Sequence, residues 1–198
     1  MDKKEVLRKV YHIFGGMLTP CLYLFLERPS MLGISFMMMS FILILEAARL
    51  SNPALQAWIQ STIPIQFKEY ETRNLCGQAG MQIGYFLTIL LFQRELAIVA
   101  MCFLAIGDPL AALIGKPFGR HKIPGQGKSL EGSIACFLAC IFIGTGIGFF
   151  VLGLPMWLIL MGALVTTILE VQNFKIDDNF LIPVGAGLSM QIAWLAVL

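Results

Sequence analysis

The sequence predicts an all-α protein, a polytopic bundle of membrane-spanning helices forming one domain over residues 1–198. Three observations predict it. Of its 198 residues, 58% are hydrophobic and only 13% charged, far from the balance of a water-soluble domain. The mean hydropathy is +0.80, and the apolar residues come in runs of about twenty, the length that crosses a bilayer core. The basic residues are also sorted. Once the apolar runs are taken as spans, every Lys and Arg except Arg28 and Arg94 falls on one side.

Seven spans follow in chain order, at residues 10–26, 31–45, 75–92, 95–115, 129–153, 154–170 and 180–198. The first is preceded by Lys3, Lys4, Arg8 and Lys9, like the basic start of a secretory signal, but further spans follow and it reads as a retained helix. The second ends on Glu46 and Arg49. Between it and the third, Pro53 opens a stretch with Leu55, Trp58, Ile59, Thr62 and Ile63 at helical spacing, which predicts a short helix lying in the membrane interface. The third carries Gly77, Gly80 and Gly84, and its small-x-x-x-small spacing predicts an interior helix that a neighbour approaches closely. Gly144 and Gly148 give the fifth span the same property. With seven spans, the positive-inside rule puts the N-terminus in the cytoplasm.

Composition also excludes several classes of function. A net charge of +2 and the lack of an arginine-rich stripe argue against nucleic acid binding. The cysteines, Cys21, Cys76, Cys102, Cys136 and Cys140, are odd in number and lack C-x-x-C spacing, so neither a disulfide framework nor structural zinc is expected. Cys136 and Cys140 read as small packing residues on one helix face. Two histidines, His12 and His121, are too few for a histidine-rich metal site.

Chemistry concentrates in residues 107–133. Asp108 lies within an apolar span, about 10 Å of helix from Gly115, where a carboxylate needs a partner or a polar cavity. Pro109 follows it and cannot donate to the carbonyl one turn earlier, which predicts a broken helix and a freed backbone oxygen at that depth. From Gly115 to Ser129 the chain holds four cations (Lys116, Arg120, Lys122, Lys128) and four glycines (Gly115, Gly119, Gly125, Gly127), a composition suited to phosphate. It is not the soluble nucleotide loop G-x-x-x-x-G-K-[ST]: Gly127-Lys128-Ser129 matches the end, but Lys122 occupies the first glycine position and no strand precedes it. The predicted anion site is the start of the fifth span, capped by Ser129, with free N–H groups and the positive dipole end facing the phosphate.

Glu131 in that first turn would repel a phosphate unless a cation lay between them, so Asp108 and Glu131 together suggest Mg²⁺. The cations alone would equally suit anionic lipid headgroups; the carboxylates favour metal–phosphate binding. Arg8, His12, Glu46, Arg49, Glu71, Arg73, Glu170 and Asp177-Asp178-Asn179 converge on the same predicted face. Singly, each has a plain role: Glu46 and Arg49 form an i, i+3 pair, and Asp178 or Asn179 caps a helix.

Taken together, these residues resemble the CTP-dependent membrane kinases of lipid alcohols, the group of dolichol, phytol and yeast-type diacylglycerol kinases. The resemblance rests on Arg8-Lys9-x-x-His12 with Gly15-Gly16, Glu46-x-x-Arg49, and Glu71-x-x-x-Leu75-x-Gly77. It continues in Gly107-Asp108-x-x-Ala111 through Gly115, Gly119-Arg120-x-Lys122, Gly127-Lys128-Ser129-x-Glu131-Gly132-Ser133, and Asp177-Asp178-Asn179 with Pro183. The central run is also similar to the CTP:phosphatidate cytidylyltransferases, but their Asp-Arg-x-Asp element is absent. The resemblance implies CTP as donor and a long-chain alcohol or diacylglycerol as acceptor, and the positive-inside rule puts the site on the cytoplasmic side. As a mechanism, Mg²⁺ held by Asp108 and by Asp177, Asp178 or Glu131 would bridge the donor phosphates, with Lys116, Arg120, Lys122 and Lys128 offsetting charge. A carboxylate or His12 would orient the lipid hydroxyl as base. The runner-up is a cytidylyltransferase. A transporter of a phosphorylated solute would use polar residues deep in several spans and an internal repeat, and neither is evident.

Overall fold

The computed structural model describes residues 3–62, 69–172, 174 and 176–197. Its helices are α1 (Lys3–Tyr23), α2 (Arg28–Ser51), α3 (Pro53–Thr62), α4 (Gly77–Leu91), α5 (Arg94–Phe118), α6 (Leu130–Ile143), α7 (Met156–Val171) and α8 (Asp178–Val197), with a 3₁₀ turn at Glu69–Thr72 before α4. Each of the seven predicted spans is a helix. Four segments are long and apolar enough to cross a membrane by their own composition: Arg28–Ser51, Arg94–Phe118, Leu130–Phe149 and Asp178–Val197. Among the described residues α7 is apolar but shorter, and α1 and α4 do not qualify. The reasons are physical. The first two turns of α1 are charged, and α4 has only 15 residues.

The predicted ends shift because polar turns are helical too. Helix α1 begins at Lys3, ahead of the apolar run. Helix α2 takes in Glu46 and Arg49 and ends at Ser51, with Asn52 bonded back to Ala48. The short helix expected after Pro53 is present as α3; Asn52 Oδ1 accepts from the N–H groups of Ala54 and Leu55, and Trp58 is exposed. Ile63 and Leu198 lie outside the described residues.

Helix α5 is the axis. Every residue from Leu96 to Ala105 is buried, as expected of a helix that is apolar all round. It divides the interior into two packed regions. On one side Phe103 and Leu96 meet Cys136, Leu158, Ile159 and Met190; on the other Met101 and Ile98 meet Tyr23, Met31, Met81 and Tyr85. The outer surface is apolar as well, with Phe14, Phe25, Met37, Phe142 and Phe150 all exposed. A protein apolar both inside and out suits a lipid solvent, where close approach of small residues replaces the hydrophobic effect in holding helices together.

Glycine supplies that approach where the sequence predicted it. A Cβ on Gly84 would lie 3.0 Å from Cα of Phe180, and one on Gly80 would lie 3.1 Å from Cγ of Asp177, so the interior face of α4 seats the start of α8. Gly144 and Gly148 similarly face Phe103, Val99 and Ile159. The helix there is not regular, however. Residues Gly144–Phe149 form a π-helix, in which Phe150 donates to the Thr145 carbonyl at 3.2 Å and Leu152 to that of Ile147 at 3.0 Å. Glycines at 144, 146 and 148 leave the backbone free to overwiden, and Gly153, with φ 71°, ends the segment.

A second expectation is corrected at Pro109. Helix α5 runs unbroken through it to Phe118; the proline withdraws one donor without interrupting the helix.

At one end of the bundle the two exceptional arginines close helix termini. Arg94 donates to the carbonyls of Tyr23 and Leu24 and lies over the Tyr23 ring, and Arg28 donates to that of Leu90 at 2.6 Å. Cations suit the negative ends of α1 and α4. Asp108, Lys128 and their ion-pair partners lie at the other end.

Candidate active site

Packing of α1 along α5 sets the first pair. Lys9 Nζ donates to Asp108 Oδ2 at 2.7 Å, with both side chains largely buried, 11% and 14% exposed. His12 lies one turn further along α1. Its Nε2 is buried without a hydrogen-bond partner. Asp108 therefore has the partner its depth demands. The identity of that partner, Lys9, could not be read from the sequence, because it depends on which turn of α1 meets α5.

The chain between α5 and α6 folds back as a tight hairpin. Lys122 and Ser129 form an antiparallel bridge, Ile123 N–H donates to Lys128 O at 2.9 Å, and Gly125 and Gly127 turn with φ of 76° and 65°, values that favour glycine. Ser129 is the N-cap of α6, as predicted. Its Oγ accepts from Gly132 N–H and donates to the Gly115 carbonyl, both at 3.2 Å. Gly119 leaves it room: a Cβ there would lie 2.3 Å from Ser129 Oγ.

Two site expectations change here. Three of the N–H groups at the start of α6, expected to be open to phosphate, are engaged by the chain itself: Leu130 donates to His121 O, Gly132 to Ser129 Oγ and Ser133 to Ser129 O. Glu131, expected beside Asp108 as a metal ligand, is turned onto the hairpin. Its carboxylate accepts from the N–H groups of Arg120 and His121 and lies 2.8 Å from His121 Nδ1. A first-turn carboxylate satisfying loop donors is a fastener, and nothing in a linear pattern reveals the hairpin that presents those donors.

Lys128 leaves the hairpin towards α7 and α8. Its ammonium donates to Glu170 Oε1 at 2.8 Å, to the Glu170 backbone carbonyl, and to Asp178 Oδ2 at 3.4 Å. Burial favours the neutral amine, but the carboxylates of Glu170 and Asp178 outweigh it, so the ammonium holds its proton above the usual lysine range. The other cations are more open. Lys116 pairs with Glu5, Arg8 lies 3.7 Å from Glu5, and Arg120 and Lys122 are exposed on the hairpin.

The start of α8 is capped by Asp177, not by Asp178 or Asn179: Asp177 Oδ1 accepts from Asn179 N–H at 2.8 Å. Asn179 lies over Gly77, where a Cβ would sit 2.5 Å from its Nδ2. The supporting residues fix the same place from below. Arg49 donates twice to Glu46 at 2.8 Å and once to Asn74 O. Glu46 also accepts from Cys76 N–H, and Glu71 accepts from Gly77 N–H at 2.9 Å. Buried acids thus hold the first turn of α4 against α8.

Asp108, His12, Lys128 and Asp178 therefore gather at one end of the bundle, together with Lys9 and Glu170, whose pairing with Asp108 and Lys128 the sequence had not shown. The groups feel one another, since Asp108 acts electrostatically on Lys128, Glu170 and Asp178. Among the described residues, no three His, Cys, Asp or Glu side chains form a group able to hold a metal ion. Mg²⁺ usually takes only one or two carboxylates together with substrate phosphates, and Asp108 and Asp178 offer hard oxygen donors of that kind.

No family model and no solved structure matches the chain. Among curated proteins, it is 31% identical over 194 residues to the uncharacterized protein RP860 of Rickettsia prowazekii, covering 95% of this chain and 94% of that protein. It is also 29% identical over 217 residues to CTP-dependent diacylglycerol kinase 1 of Saccharomyces cerevisiae (96% of this chain, 73% of that protein). Phytol kinase of Synechocystis matches at 28% over 204 residues (98% and 80%). The chain belongs to one family with RP860 and is homologous to the CTP-dependent lipid alcohol kinases. In this kinase homologue, each match covers nearly the whole chain and so includes the cluster around Asp108 and Lys128.

Proposed function

We propose that the protein transfers a phosphoryl group from CTP to the hydroxyl of a membrane lipid alcohol, such as a polyprenol, phytol or diacylglycerol, at the cytoplasmic face. Near full-length homology to kinases that share a lipid setting but differ in acceptor is the observation that carries this reading. It is supported by the largely buried carboxylate of Asp108 and the half-buried ammonium of Lys128 at the same end of a mainly apolar bundle.

In this reading all seven long helices span the bilayer, with α1 and α4 doing so through contact with their neighbours, and the end carrying Asp108 faces the cytoplasm. Asp108 and Asp178 would hold Mg²⁺, which when bound neutralises phosphate charge. Lys128, with Arg120 and Lys122 on the hairpin, binds and orients the triphosphate. Lys9 holds Asp108 ionised and in place. His12, with its unengaged Nε2, is positioned to accept the proton of the lipid hydroxyl. The apolar bundle keeps water from competing as acceptor.

The test is to incubate purified protein with labelled CTP, Mg²⁺ and a panel of lipid alcohols, and to identify both products. A phosphorylated lipid with CDP is expected. Pyrophosphate with a cytidylylated lipid would replace this reading by the cytidylyltransferase one, and no product with any acceptor would end it. The orientation is checked with cysteines placed at Pro124 and Val151, which should react with an impermeant reagent from opposite sides.

A further inference from the structure

Helix α7 reads Met156-Trp-Leu-Ile-Leu-Met-Gly-Ala-Leu-Val-Thr-Thr-Ile-Leu-Glu170-Val171. One acid stands in its last turn, at the negative end of the helix dipole, where a carboxylate is disfavoured. It is also buried, with its side chain 5% exposed, and burial penalises it again. Neither helix formation nor packing calls for a glutamate there; a leucine would serve both. The contact that compensates it is Lys128.

The geometry of that contact is unequal. An ammonium has three donors. Two go to the same residue, Glu170, through its side-chain Oε1 at 2.8 Å and its backbone carbonyl. The third points at Asp178 Oδ2 at 3.4 Å, long for a charge-assisted hydrogen bond. Asp178 is also the more open partner, 33% exposed against 5% for Glu170, and at the first residue of α8 its charge suits the helix dipole without any lysine. Glu170 therefore depends on Lys128, whereas Asp178 can release it.

We propose that Glu170 is a positioning residue that grips the Lys128 ammonium by two of its donors, so that the third passes from Asp178 to a phosphoryl oxygen when the nucleotide binds. The grip spans the hairpin, the end of α7 and the start of α8, and nucleotide binding releases Asp178 from the lysine at the moment a cation or the lipid hydroxyl needs a carboxylate. Glu170 touches neither nucleotide nor lipid; it acts through Lys128. This inference rests on the kinase reading above.

The test is a double-mutant cycle in the full-length protein in lipid nanodiscs, read by equilibrium binding of a fluorescent CTP analogue without acceptor and by KM and kcat for CTP. Glu170→Gln is expected to weaken nucleotide binding and raise KM about tenfold with kcat changed much less, the signature of lost binding common to ground and transition states. Lys128→Met is expected to weaken both by more. Its buried acid is left unpaired and the variant can fail to fold, so the deciding protein is Glu170→Gln with Lys128→Met, in which both charges are gone. In that background the glutamine should cost less than about a further twofold. If it costs the same factor with and without Lys128, or acts on kcat alone, the positioning role is overturned. A wild-type protein that phosphorylates no lipid alcohol would remove the functional reading, and the inference with it; an active wild type with additive effects would remove only the inference.

Discussion

Lys9 and Asp108, 99 residues apart in the chain, meet through a 2.7 Å hydrogen bond between a helix that is polar at its start and one that is apolar along its middle. The pair gives a carboxylate a counter-charge at a depth where it could not stand alone. Removing the lysine alone leaves a buried acid, so Lys9→Met is expected to destabilise the protein by about 2–4 kcal/mol, near the range for breaking a buried pair. Adding Asp108→Asn to Lys9→Met should restore much of that stability while leaving turnover at least about a hundredfold down. Thermal unfolding in detergent and CTP turnover measure the two separately. Full activity in Asp108→Asn would refute its catalytic role.

The three atoms nearest to where a Cβ on Gly84 would stand are all backbone: Cα and O of Phe180 and O of Asn179, within 3.1 Å. Backbone cannot rotate away as a side chain can. Gly84→Ala should therefore cost about 1–3 kcal/mol and displace the turn carrying Asp178. Gly33, with nothing within 4 Å, is the control; its alanine should gain up to about 1 kcal/mol of helix propensity. Equal melting temperatures for the two variants would contradict the close packing of α4 on α8.

Arg49 is 1% exposed and tied to Glu46 and to the Asn74 carbonyl. Arg49→Met strands the glutamate and should cost about 3–5 kcal/mol. Because these partners anchor the start of α4 and lie outside the cluster around Lys128, turnover per folded molecule should change far less than the yield of folded protein. A large fall in turnover with unchanged stability would instead make the pair part of the chemistry.

Glu131 can be tested in both of its roles. As the fastener of the hairpin, its replacement by Gln should expose Arg120 and Lys122 to trypsin through local opening and leave the Mg²⁺ dependence of turnover unchanged. A raised Mg²⁺ requirement with an intact hairpin would reinstate it as a metal ligand.

These cases show which parts were legible in the sequence. The helices were, because apolar runs and glycine spacing are local properties. So was the isolation of Asp108, since one acid in a long apolar run is unmistakable, and so was the Ser129 cap. The partners were not. Lys9 and Glu170 were visible as charges, but their pairing with Asp108 and Lys128 is set by helix register across the bundle. Glu131 misled because its spacing from Ser129 suits a helix start, while its hydrogen bonds depend on the bridge from Lys122 to Ser129. Pro109 misled for the opposite reason: a proline usually breaks a helix, but here α5 continues through it, with Gly107, Pro109 and Ala111 packed on its buried face.

Helices α1 and α4 lack the length or composition to cross a bilayer alone, and this has a consequence for how the protein is made. Helix α1 is synthesised roughly ninety residues before Asp108, at about 5–20 residues per second, so for several seconds its lysine has no counter-charge. The hairpin of α1 and α2 then crosses on the strength of α2, and α1 stays loosely packed until α5 arrives, with α4 entering as one arm of a hairpin closed at Phe92 and Gln93. A cysteine replacing Val10 should then react with a hydrophilic thiol reagent in chains halted once Gln93 has left the ribosome, and be protected in chains halted once Phe118 has left it. If it is protected at both lengths, α1 packs without its partner.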